Sequence, residues 1–128
     1  MAKAILVARL ILGLMFFVFG LNGVLNFMKA PPLPGDAGVF AGIMVAHHYM
    51  TFVAVLQIIG GLLLLVGRYV PLGLVILGPI LVNILLFHLL LLPQGIAAGL
   101  VAMALEIFLI WGYRLSFRGL FDAAPEVS

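Results

Sequence analysis

The sequence predicts an all-α membrane protein: an up-down four-helix transmembrane bundle with a short periplasmic half-helix before the second span. Three observations predict it. Of 128 residues, 66% are apolar and only 8% are charged, against roughly 25% charged in a soluble domain. The apolar residues fall into long runs, matching the roughly 20 residues that cross a bilayer. Between the runs stand short proline- and glycine-bearing turns, and short turns join antiparallel neighbours. A chain of this length makes one domain, residues 1–128, with no room for a separate soluble catalytic unit.

The first run, about residues 4–28, ends at Pro31, Pro32, Pro34 and Gly35, which stop a helix. It exceeds the roughly 7–15-residue core of a signal peptide and reads as an uncleaved span. The second run, Gly38 to Gly67, would be about 45 Å long as one helix, against about 30 Å of hydrocarbon. It must break, and the polar pair His47 and His48 marks the place. This leaves a half-helix over Ala37 to Ala46, N-capped by Asp36, and a span over about 48–67. Gly67 to Pro71 makes a turn, with Pro71 opening the third span, about 71–92. Pro93, Gln94 and Gly95 turn the chain into the fourth, about 96–114. Beyond it, Arg114 to Phe121 alternates cationic and apolar residues, as a segment leaving along the membrane surface would. Residues Asp122 to Ser128 are expected to fray.

Charge placement orients the bundle. Lys3, Arg9, Arg68, Arg114 and Arg118 gather at one end, and Lys29 alone stands at the other. The positive-inside rule puts both termini in the cytoplasm, with the half-helix and His47 and His48 outside. The absence of cysteine excludes disulfides, thiol exchange and thiolate-held clusters. Redox chemistry would then need a bound cofactor or a partner. No nucleophile elbow, phosphate-binding glycine loop or nucleotide fingerprint is present, and a net charge of +2 leaves no footprint for nucleic acid.

The polar residues inside the spans carry the functional information. Glu106 lies deep in the apolar run from Gly99 to Trp111. A mid-bilayer carboxylate costs several kcal/mol unless protonated, paired or facing water, so Glu106 is the candidate catalytic or binding acid. Gln57 and Asn83 fall near the middle of their spans and are expected to share a layer with it. Their stripes carry small residues, such as Ala54, Gly60, Gly61, Gly99 and Ala102, which let helices approach closely and point to the bundle interior. Asn22 and Asn26, one turn apart, sit in the outer half of the first span. His88 is rotated about 140° from Asn83 on a regular helix and is expected on a different wall unless Pro79 distorts the phase.

Each residue also has a plainer reading. Asn22, Asn26, Gln57 and Asn83 serve as interhelical hydrogen-bond glue, worth roughly 0.6–2 kcal/mol apiece. Glu106 is a neutral carboxyl bonded to Gln57 or Asn83, or it pairs with Arg9, which otherwise snorkels to the nearer headgroups. Met44, Met50 and Met103 are core filler. A metal at His47, His48 and His88 is disfavoured, because adjacent histidines point about 100° apart and no acid stands beside them, whereas a tetrahedral site needs convergent ligands.

The ordered set Arg9 to Gly13, Phe19-Gly20-Leu21-Asn22, Gln57 to Gly61, Gly67-Arg68-Tyr69-Val70-Pro71, Gly78-Pro79, Asn83 to His88 and a late Glu106 resembles the DoxX family of small bacterial membrane proteins. The resemblance runs from about Arg9 to Phe121. It implies a four-helix protein of the bacterial inner membrane, associated with oxidoreductase systems, and related folds that bind sterol-like or isoprenoid ligands. Many members carry Glu where this chain has Gln57, so a relay of paired acids is not expected here and a hydrogen-bonding pocket is favoured.

Three functions meet these constraints. The first is a membrane component of a redox system that holds a quinone or isoprenoid lipid between Gln57, Asn83 and Glu106, with Asn22, Asn26, His47, His48 and His88 at the outer mouth. Amides, neutral carboxyls and histidines supply the donors that quinone carbonyls need. The second is a non-catalytic anchor for an oxidoreductase subunit. The third is an enzyme using Glu106 as general acid on a lipid-like substrate. Membrane lipids, a partner subunit and further copies of the chain are the partners these readings provide for, with no covalent cofactor and no metal.

Overall fold

The computed structural model describes residues 1–29 and 31–127. In chain order, α1 (Ala2–Leu25) crosses the bundle, and the half-helix α2 (Gly35–Ala46) lies at its far end. Then α3 (Tyr49–Val66), α4 (Val70–Leu91) and α5 (Ile96–Gly112) follow, the last entered through a 3-10 turn over Pro93–Gly95. A 3-10 segment, Arg114–Phe121, leaves α5. The four long helices are each apolar enough to cross a membrane, and the described residues contain no strand.

Helix neighbours follow from close contacts. Gly13 of α1 faces Gly61 and Leu64 of α3, while Gly20 faces Ala54 and Ile58. Numbers fall on α3 as they rise on α1, so the pair is antiparallel. Gly60 meets Leu77, Gly99 meets Leu85, and Gly112 meets Ile5, which closes a ring in the order α1, α3, α4, α5. The α1–α3 approach is the tightest: a Cβ on Gly61 would stand 2.6 Å from the Phe17 backbone nitrogen and 2.8 Å from the Gly13 carbonyl oxygen. Only glycine fits there.

The fully buried side chains Leu12, Leu64, Leu74, Leu77, Leu81 and Leu109 fill the centre. Less than a third of the residues in each span are buried, and Leu14, Phe52, Leu62, Val82, Leu86 and Ile107 point outward. In lipid such a surface is solvated by acyl chains, so packing and hydrogen bonds hold the bundle together. This is a multi-pass membrane protein.

Several element ends differ from the pattern-based expectations. Helix α1 stops at Leu25, three residues before 28, because Asn26 takes a left-handed conformation (φ 57) and its N–H donates to the Asn22 carbonyl at 2.8 Å. At the start of α2, Pro34 is the N-cap and Asp36 lies inside the first turn without a side-chain cap bond, so Asp36 does not cap the helix as expected. His48 (φ 60) breaks the second run, and Gly67 (φ 78) ends α3. Past α5, Phe117 is buried and pins the 3-10 segment to the core, while Leu115, Leu120 and Phe121 stay exposed. Arg114 donates to the Trp111 carbonyl at 2.9 Å and covers that indole ring at 4.8 Å.

Candidate functional site

A cavity of about 410 Å³ lies between α2, α3 and α4, toward the end of the bundle that carries α2. Its size falls in the roughly 300–1,000 Å³ range of small-molecule sites. Helix α2 contributes Phe40, Ala41 and Met44, and α3 contributes Tyr49, Met50, Val53 and Gln57. The α4 wall is Pro79, Ile80, Asn83, Ile84, Phe87 and His88. These positions cover about half the circumference of a helix at 100° per residue. Asn83 and His88 therefore share one cavity although they stand about 140° apart, and the expectation of separate walls is corrected.

The walls are mostly apolar, with four polar side chains, the Tyr49 phenol, Gln57, Asn83 and His88, at different depths. Gln57, only 9% exposed, is the deepest of the lining residues along α3. Asn83 donates from Nδ2 to the Pro79 carbonyl at 2.8 Å. The bond ties the amide to its own helix beside a proline, which has no N–H of its own to continue the ladder. His88 donates from Nδ1 to the Ile84 carbonyl at 2.8 Å. Its Nε2 lies toward the α4–α5 turn, where a Cβ on Gly95 would come within 3.1 Å of it. The ring meets Phe87 edge-on at 5.3 Å, and Phe87 in turn meets Phe40 of α2 at 5.6 Å. This aromatic chain seats the half-helix over the cavity.

Glu106 stands elsewhere. It is 1% exposed, does not line the cavity, and neither carboxyl oxygen has a hydrogen-bond partner. One oxygen lies against α4 at Gly78, 3.4 Å from where a Cβ would be. Gly78 and Asn83 are five residues apart and so point about 140° away from each other. The layer expected to join Gln57, Asn83 and Glu106 is thus divided by α4: the amides face α2 and α3, and the acid faces the α5 side. Arg9 does not pair with Glu106 either. Its Nε is buried without a partner, and its guanidinium packs on Gly67 in the α3–α4 turn.

The remaining candidates lie off the cavity. The Asn22 Oδ1 accepts the Met28 N–H at 2.7 Å, and Asn26 caps α1. Both asparagines finish a helix. His47 and His48 are exposed in the α2–α3 turn and do not line the walls. Among the described residues no three His, Asp or Glu side chains are grouped to hold a metal ion. Pattern reading missed Phe40, Ala41, Tyr49, Pro79 and Phe87, and it took Met44 and Met50 for filler. The available signal was Phe40 and Met44 at i and i+4 on a half-helix too short to span, which needs a partner for that face.

The DoxX family model matches residues 4–90. The chain belongs to the DoxX family. The match spans every cavity-lining residue, from Leu33 to His88, and ends before Glu106. DoxX proteins are membrane-associated and often linked to oxidoreductase-related roles. The chain is also similar to the uncharacterized protein YwoB of Bacillus subtilis (strain 168), at 31% identity over 125 residues, covering 91% of this chain and 81% of that one. No solved structure matches it.

Proposed function

We propose that the protein is an integral component of a redox system of the bacterial inner membrane, with both termini cytoplasmic, and that it binds a quinone-like or isoprenoid ligand between α2, α3 and α4. The observation that carries this reading is the nine-tenths buried Gln57 side chain at the depth of a mostly apolar cavity. An amide that faces such a cavity gains about 0.5–1.5 kcal/mol for each hydrogen bond it makes to a ligand's polar head. The walls fit such a molecule: a flat ring lies against Phe40, Phe87 and Pro79, and Met44 and Met50 adapt to a branched apolar tail.

A bound quinone would supply two-electron chemistry that a chain without cysteine does not draw from thiols of its own. The protein's part is to bind and orient. Gln57 offers two N–H donors and one acceptor, Asn83 and His88 hold the head at the α4 wall, and the apolar lining keeps water out.

The test is mass spectrometry of the organic extract from gently purified wild type, Gln57→Met and Ala41→Phe. The first substitution removes the amide at similar volume, and the second fills the cavity from the α2 side. We expect an isoprenoid or quinone enriched with the wild type and depleted by about tenfold or more in both variants at unchanged elution. The same phospholipid profile from all three proteins would overturn the reading.

A further inference from the structure

On the side of the bundle away from the α2 cavity, α1 and α5 leave an open groove of about 430 Å³. Lys3, Ala4, Ala8 and Ile11 line it from α1, and Leu105 and Phe108 from α5. Both helices are apolar enough to span a membrane, so the groove opens into hydrocarbon and an acyl chain fills it. Its mouth, at the end of the bundle that carries both termini, is cationic. Ile5 meets the Gly112 position; Lys3 lies two residues before that contact and Arg114 two after it, each roughly 3 Å further along at 1.5 Å per residue. An aromatic pair links Arg114 to the groove: Phe108 stacks on Trp111 at 6.0 Å, and the Arg114 guanidinium covers the Trp111 ring at 4.8 Å. Arg114 spends one N–H on the Trp111 carbonyl and keeps the rest of its donor fork. Arg9, packed on Gly67, and Arg68, beside it in the α3–α4 turn, serve another part of the same end.

We propose that this groove is a site for one anionic phospholipid, with the phosphate held between Lys3 and Arg114 and one acyl chain lying against Ala4, Ala8 and Phe108. The site is separate from the α2 cavity and does not depend on what that cavity holds. Guanidinium matches the geometry of a phosphate, and the ammonium adds a point charge beside it. A zwitterionic headgroup brings its own cation to the same place, where Lys3 and Arg114 repel it, so net negative charge is what the mouth selects. Trp111, half exposed between groove and mouth, stands at the level that amphipathic rings take at a membrane surface. The acids nearest in sequence to this end, Asp122 and Glu126, lie in the tail beyond Phe121, and Asp122 accepts the Ala124 N–H at 3.1 Å.

Trp111 is the single tryptophan of the chain, which makes it the reporter. The protein is reconstituted into phosphatidylcholine vesicles containing increasing mole fractions of acyl-brominated phosphatidylglycerol or, separately, acyl-brominated phosphatidylcholine, and quenching of Trp111 emission is read. We expect half-maximal quenching at a mole fraction about fivefold or more lower for phosphatidylglycerol. The preference should fall to about twofold or less in the double variant Lys3→Gln, Arg114→Gln, which removes the charges. It should fall equally in Ala4→Phe, which fills the groove at an exposed position with both cations in place. Arg68→Gln removes a charge from the same end but off the groove and should leave the preference as in wild type. Equal quenching by the two brominated lipids overturns the proposal. So does a preference that survives the double variant or Ala4→Phe, or one that Arg68→Gln lowers as much, since diffuse surface charge then accounts for it.

Discussion

Two polar groups of the same bundle meet opposite fates. Gln57 and Glu106 both sit in apolar helices and both are at least nine-tenths buried, and neither carboxyl oxygen of Glu106 has a hydrogen-bond partner. Gln57 opens into a cavity of about 410 Å³, whereas Glu106 is sealed among packed helices with its carboxyl against the Gly78 backbone. A buried polar group with space beside it is a binding determinant awaiting an occupant. An unsatisfied group without space is a cost carried by the fold. Charge alone singles out Glu106 as the unusual residue of the chain, yet room for a ligand belongs to the amide.

The packed side of that contrast breaks most completely at the α1–α3 contact. A Cβ on Gly61 meets backbone atoms of Phe17 and Gly13, which no side-chain rotation relieves. Gly61→Val is therefore expected to cost about 3 kcal/mol or more and to leave little monodisperse protein on size-exclusion chromatography. Gly42 of α2 has nothing within 4 Å of the same position, so Gly42→Ala should elute as wild type. Normal folding of Gly61→Val would mean that the two helices do not touch there.

A smaller change sharpens the comparison directly. Glu106→Met replaces a buried carboxyl that lacks a partner with an adaptable apolar side chain. Removing the unsatisfied group is expected to raise stability by about 1–3 kcal/mol, read from unfolding in mild detergent. Ligand recovery should stay within about twofold of wild type, because Glu106 is not on the cavity wall. Loss of ligand at normal stability would join the two regions again. Loss of stability would reveal a partner for the carboxyl that only the membrane-embedded protein possesses.

The four spans were legible in the sequence because their signals are local: apolar runs of membrane-spanning length, punctuated by Pro31 to Gly35, His47 and His48, Gly67 and Pro93. The broken second run followed from length alone. The site was legible only in part. Gln57, Asn83 and His88 stand out as polar letters in apolar text, but the wall opposite them comes from Phe40, Ala41 and Met44, and where a half-helix docks is a tertiary fact. Glu106 failed to join them for a reason of phase. Matching depths along two helices does not say which side of α4 each residue meets, and the roughly 140° between Gly78 and Asn83 decides it. Asn22 and Asn26 lie off the cavity for another reason. Asparagine four residues from asparagine near a helix end is also a terminating device, because Asn tolerates the left-handed conformation.

That last distinction yields the smallest effect and the finest test of where the site ends. Asn22→Ala removes the acceptor for the Met28 N–H, an exposed bond of 2.7 Å, and should cost about 1 kcal/mol or less. Asn26→Gly keeps the left-handed cap and should be close to neutral, while Asn26→Val forces a β-branched residue into φ 57 and should cost about 1–2 kcal/mol. A ladder of Gly, Asn and Val in falling stability, with ligand recovery constant across it, identifies these positions as the end of α1 and nothing more. Ligand recovery that falls in Asn22→Ala while stability holds would extend the cavity's reach to the end of α1, and the contrast between an open α2 end and a closed helix terminus would have to be redrawn with both asparagines inside the site.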